Sequence, residues 1–224
     1  MVATPLSSNH DPVTHLHYRP TVPPAEHDII LDMLLSLLSP IAQHRALHIT
    51  PSKGKRDKKR KRRQGQPDPP QPPPAPAIAN HITVGLNSTT RHLERLVANK
   101  ATPSHQDSVP AMPLILTTQS PSSPVVSHLP LLSSTASCCL PPSQATRIVP
   151  LSPSVETKLA AALGLPRVGV IGIKAGAPGT APLIEYAQSN LQAVDVPWVR
   201  EASAAVYKPV NVLAEVKGKG TKSA

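Results

Sequence analysis

Two short stretches of this sequence concentrate groups that can do chemistry. Residues 53 to 63, KGKRDKKRKRR, hold Lys53, Lys55, Arg56, Lys58, Lys59, Arg60, Lys61, Arg62 and Arg63 against a single Asp57, a local charge of +8 out of +10 for the whole chain. Like charges at this density repel one another, stay solvated and attract polyphosphate. A nucleic acid or an import receptor is therefore the natural partner, ahead of an anionic membrane surface. Binding of phosphates through such a run releases condensed counterions and must weaken steeply with salt. The second stretch, GLNSTTR, covers Gly85, Asn87, Ser88, Thr89 and Arg91 at a turn from a strand-like into a helix-like segment. Gly85 allows close backbone approach, Asn87 can reach a base edge, and the free N–H groups of a first helical turn favour phosphate. Arg91, one turn further on, can grip a phosphate as well. On residue types alone, the same turn is more often simply the capped start of a helix.

Other chemistries find little support. The ten histidines are scattered, and no pair has zinc-ligand or metalloprotease spacing with carboxylate support, so no metal is expected. His81, His92 and His128 lie beside expected elements and read as surface or capping residues. Neither a nucleophile elbow nor a paired-carboxylate arrangement occurs. Gly169, Gly172, Gly176 and Gly179 fit neither the dinucleotide fingerprint nor a P-loop, so no cofactor and no small-molecule substrate follow from them. They read instead as close packing inside a strand, then a turn before a helix. The chain is expected to have no catalytic residue of its own. Cys138 and Cys139 are adjacent, poor geometry for pairing with each other, which points to a reducing compartment. The most apolar segment, Ile29 to Ile41, is short and carries Asp32, so the chain is expected to be soluble and intracellular, with no membrane partner.

The elements that must position these groups follow from the apolar pattern. Twenty-nine prolines and the absence of Phe leave a core of Leu, Ile, Val and Ala, with Tyr18, Tyr186, Tyr207 and Trp198 as the only large rings. Residues 1–24 lack periodicity and read as a disordered lead-in. Residues 25–48 place Ile29, Ile30, Met33, Leu34, Leu37, Leu38 and Ile41 on one stripe of an amphipathic helix packing on the main domain, which Pro40 should end or kink. Residues 49–77, basic and then Pro-rich, read as a disordered linker.

Beyond the linker, strands and helices alternate. HITVGL (81–86), PLILTT (113–118), TRIVPL (146–151) and RVGVIGI (167–173) read as strands. Ser88 to Ala98, Val125 to Ala136, a segment N-capped by Ser152 and closed by Gly164, and TAPLIEYAQSNL read as the helices between and after them. Such alternation specifies an α/β fold, a three-layer α/β/α sandwich with a small mixed sheet. The domain is expected to occupy residues 78–213 and to be followed by a basic tail, 214–224, with the N-terminal, linker and C-terminal segments disordered.

At this point a resemblance enters. GLNSTTR resembles the Gly-x-Asn-Glu-x-x-Lys signature of the kink-turn-binding ribosomal protein class, with Ser88 where that class usually has Glu and Arg91 where it has Lys. The blocks HDIILDMLLSLLSPIAQHR, the Lys/Arg run, HITVGLNSTTRHLE, GLPRVGVIG and APLIEYAQSNLQAVDVPWV agree in order and spacing with a family of fungal RNase P/RNase MRP protein subunits, Pop three, within that class. The resemblance implies RNA contact through Gly85, Asn87, Ser88 and Arg91, and it places Ser137 to Ala145 in an RNA-contacting loop. It further implies a non-catalytic subunit of a ribonucleoprotein whose catalysis resides in RNA. The partners would be the RNase P/MRP RNA and other protein subunits. The processes would be tRNA 5′-leader removal and rRNA maturation, and the location the nucleus, within it the nucleolus. The alternative is a protein-docking scaffold that touches RNA only through the basic linker.

Overall fold

A computed structural model describes residues 22–48, 72–101, 109–120, 123–138, 140–141 and 144–205. The basic run, residues 1–21 of the lead-in and the tail lie outside the described residues. Six α-helices are found among those described: α1 (Pro24–His48), α2 (Leu86–Ala101), α3 (Leu129–Ser137), α4 (Val155–Leu163), α5 (Ala181–Asn190) and α6 (Pro197–Ser203). A 3-10 helix, Ala77–His81, leads into the first of four strands, β1 (Ile82–Val84), β2 (Leu114–Thr117), β3 (Arg147–Pro150) and β4 (Val170–Ile173).

The sheet has the order β1-β4-β2-β3. β2 and β3 are parallel, whereas β4 runs antiparallel to both of its neighbours, so the sheet is mixed. Side chains alternate across a strand, and here that alternation divides the core in two. Leu114, Leu116, Val149, Ile171 and Ile173 face α1, α4 and α5, where they meet Ile30, Leu34, Leu38, Leu159, Leu163 and Leu183. Ile115, Ile148 and Val170 face the opposite way, towards Leu93 of α2, Leu129 of α3 and Val199 of α6. Helices thus cover both faces, giving the three-layer α/β/α arrangement.

Several element boundaries differ from the sequence expectation, each for a local reason. α1 runs through Pro40 to His48, because Pro40 is exposed while Leu34 and Leu38 before it are fully buried and Ile41 after it packs on the same core. α3 begins at Leu129 rather than Val125, with Pro130 in the first turn where its missing N–H costs no bond. α4 begins at Val155; Ser152 is spent on a preceding turn, its carbonyl accepting from the Val155 N–H at 3.0 Å. Gly164 does close α4, in the left-handed conformation with φ 59°.

Gly172 shows why the sheet needs a glycine. A Cβ there would lie 2.5 Å from Thr83 Oγ1 and 2.8 Å from the Met112 Cε and Sδ atoms, whereas one at Gly169 would meet only Gln119, at 3.6 Å. Gly172→Ala is therefore expected to destabilise the fold by about 1–3 kcal/mol through overpacking. Gly169→Ala should leave the thermal unfolding midpoint close to that of the parent chain.

Candidate nucleic-acid interface

The strand-to-helix turn is built around Gly85. With φ 93° it ends β1 and starts α2 in one step, so the helix begins at Leu86, two residues before the expected Ser88. The Gly85 N–H donates to Val170 O at 2.7 Å, continuing the sheet ladder, and its carbonyl accepts the first helical bond from the Thr89 N–H at 3.2 Å. The N–H groups of Leu86, Asn87 and Ser88 then have no acceptor within the helix. The first turn contains no acidic residue, so the positive end of the helix dipole is left open to an anion.

The earlier shift in register decides where the side chains go. Asn87, Ser88 and Arg91 are all exposed, and Asn87 and Arg91, four residues apart, share one helix face. Thr89 departs from the expectation of an RNA contact, because it is fully buried. Its hydroxyl donates to Gly85 O at 3.1 Å and lies 3.0 Å from the Thr83 hydroxyl, which reaches Gly172 O at 3.3 Å. Thr89 thus holds the turn to the sheet and presents nothing to solvent. The nine cations from Lys53 to Arg63 lie outside the described residues.

Topology also assigns the neighbours of the turn. β1, β2 and β3 all end at the same edge of the sheet, the edge where β4 begins, since Val84 pairs with Ile171 and Thr117 with Val170. At that edge Thr90 Oγ1 lies 3.0 Å from the His128 Nε2 at the start of α3. Gln119 lies beside Gly169, and the exposed Arg167 is two residues earlier. Gln119 and Arg167 are not among the sequence-expected contacts, while His128, expected as a surface or capping residue, stands at the N-cap of α3. The available signal for Gln119 was its position just past the carboxyl end of a strand, where open α/β sheets gather ligands; Arg167 precedes β4 and reaches the same edge only because β4 runs antiparallel.

The described ends of the stretch from Ser137 to Ala145 lie elsewhere. Ser137 Oγ is 3.1 Å from Thr146 Oγ1, and Thr146 precedes Arg147, which pairs with Leu114 at the start of β2. That is the opposite end of the strands from Gly85.

The family model of RNase P subunit Pop3 matches residues 71–201, more than half of the chain. The chain belongs to this family. It is thereby a protein subunit of the RNase P/RNase MRP ribonucleoprotein, alongside RNA and other subunits. No curated protein matches it significantly. The Pop3 match takes in the whole α2 turn and ends within α6, while α1 and the basic run precede it.

Within the Pop3-matched region, the second turn of α2 carries a titrating group. His92 is buried, its Nε2 2.9 Å from Pro110 O. Burial holds its pKa below the usual imidazole value; the Lys174 and Arg95 charges push the same way, against the Pro110 carbonyl. A histidine with a depressed folded pKa binds fewer protons folded than unfolded. Its contribution is therefore present above the ordinary value of 6.5 and is lost as pH falls through the lower folded one. Stability measured by denaturant midpoint should decline with falling pH in this window, and His92→Gln should flatten the decline.

Proposed function

We propose that this subunit is a non-catalytic RNA-binding protein that grips a bent RNA stem with the amino end of α2, of the kink-turn class and of the fungal type. The observation that carries the reading is the exposed Asn87, Ser88 and, one turn on, Arg91 beside three N–H groups with no helical acceptor at the amino end of α2. Gln119, His128 and Arg167 surround that turn with further polar and cationic groups. RNA recognition of this kind works by shape and phosphate contact more than by base sequence. Ser88 offers a hydroxyl where a carboxylate would accept from base amino groups, so the preference for one kinked sequence should be looser. Catalysis then resides in the RNA, the processes served are tRNA 5′-leader removal and rRNA maturation, and the place is the nucleus and its nucleolus. The basic run adds nonspecific phosphate binding and import.

One feature favours protein docking as well. Trp198 on α6 is 45% exposed although it is the only tryptophan in the chain, and a large exposed ring of this kind suits a subunit contact. Sequencing the RNA that copurifies with the tagged full chain tests the proposal. Enrichment of one RNase P or MRP stem supports it, and recovery that depends only on residues 53 to 63 would favour the scaffold instead.

A further inference from the structure

Arg91 is not the last cation on the outer face of α2. Asn87, Arg91 and Arg95 recur every four residues and all are exposed, so they form one stripe along the helix. From Asn87 to Arg95 the stripe rises about 12 Å. Lys174, the residue after β4, joins it from a different element. Its Nζ donates to Asn80 O at 2.8 Å and its backbone N–H to His81 O at 2.8 Å, which fixes it at the end of the sheet away from Gly85.

Arg95 and Lys174 come close enough for both charges to act on the one imidazole of His92. No carboxylate contributes there. Among the described residues the ion pair found is Arg200 with Asp195, on α6 and the segment before it, and no salt bridge to Arg95 or Lys174 is found among them. Glu94 adjoins Arg95 on α2, yet Arg91, Arg95 and Lys174 outnumber it three to one, and such an excess of cations from two elements raises the local potential and favours a polyanion. The chain that follows the basic run reaches Lys174 at the 3-10 helix, through the Asn80 and His81 carbonyls. His44 Nε2 lies 2.9 Å from Pro73 O, and the chain continues from there through the 3-10 helix Ala77–His81 to β1.

We propose that Arg95 and Lys174 form a second phosphate-binding pair, which carries the RNA path from the first turn of α2 along the helix to the far end of the sheet. This rests on the reading that the amino end of α2 meets RNA. The ligand is the phosphate backbone, read without regard to base. An acidic protein segment is the competing occupant.

The test is equilibrium binding of the full chain to a transcript of RNase P RNA across a salt series, with Arg95→Gln and Lys174→Gln singly and together. Thermal melting of each variant shows that it is folded, and Lys174→Arg serves as the conservative variant. The double variant is expected to reduce the slope of log K against log salt by about 1.4–1.8, two phosphate contacts, with affinity down about tenfold at fixed salt. Lys174→Arg should keep the parent slope. Parent affinity and slope in the double variant, with binding weakened on Asn87→Ala plus Arg91→Glu, would end the RNA path at the first turn and overturn the pair alone. Unchanged binding in both sets would overturn the α2 reading and the pair with it.

Discussion

Leu34→Ala is expected to lower the stability of the folded chain by about 2–5 kcal/mol, and deletion of residues 1–48 to abolish cooperative unfolding altogether. Leu34 is fully buried in the core cluster between α1 and the α4/α5 layer, and it has Ile30, Leu31 and Leu38 for company, each exposed by 5% or less. Four such side chains contribute about 1.5–3 kcal/mol each on burial, a sum comparable with the about 5–15 kcal/mol that stabilises a whole domain. The Tyr186 hydroxyl on α5 adds a polar fastening, donating to the Glu26 carboxylate at the start of α1. Residues 71–201 match the Pop3 family without α1, so an intuitive truncation would discard one wall of the core. Denaturant unfolding followed by far- and near-ultraviolet circular dichroism checks both variants. A fragment beginning at residue 72 that unfolds with the parent midpoint would show that α1 merely rests on the surface.

What could be foreseen from sequence follows how much of each element is decided locally. PLILTT was legible as a strand because four consecutive apolar or β-branched residues are buried on both faces. RVGVIGI was overread by three residues at its start: Val168 is just as buried as the strand itself, but the Gly169 carbonyl accepts from Thr118 outside the ladder. α6 was illegible, since a seven-residue helix offers barely two turns of periodicity, and a single buried residue, Val199, marks its inner side. At the candidate interface the helix start was the deciding unknown. Thr89 stands four residues before the fully buried Leu93, and that spacing already places it on the inner stripe. A polar side chain in an apolar register was read as a contact when it is a fastening. Which loop lies beside the α2 turn could not be read locally at all, because it depends on β4 running antiparallel between β1 and β2.

Asn87→Ala combined with Arg91→Glu is expected to remove the preference for a bent RNA stem over a straight duplex of the same length, while deletion of residues 53–63 keeps that preference and weakens both. The basic run carries up to nine phosphate contacts. At about 0.7–0.9 in salt slope per contact, losing it removes about 6–8 from the slope and weakens binding equally for any phosphate backbone of equal charge density. The α2 turn removes one cation and adds one repelling anion in the double variant, so its electrostatic share is small by comparison. What it does supply is direction. Asn87 and Arg91 sit on one exposed face of the helix side and the free N–H groups point out of its amino end, so only a backbone that bends around that end meets all of them. Loss of a positioned base-edge contact is worth about 1–3 kcal/mol, roughly 5- to 150-fold on the bent stem alone. The ratio of the two affinities at one salt concentration therefore isolates recognition from attraction. If the double variant keeps the parent ratio, shape selection resides elsewhere and the turn is only the capped beginning of a helix.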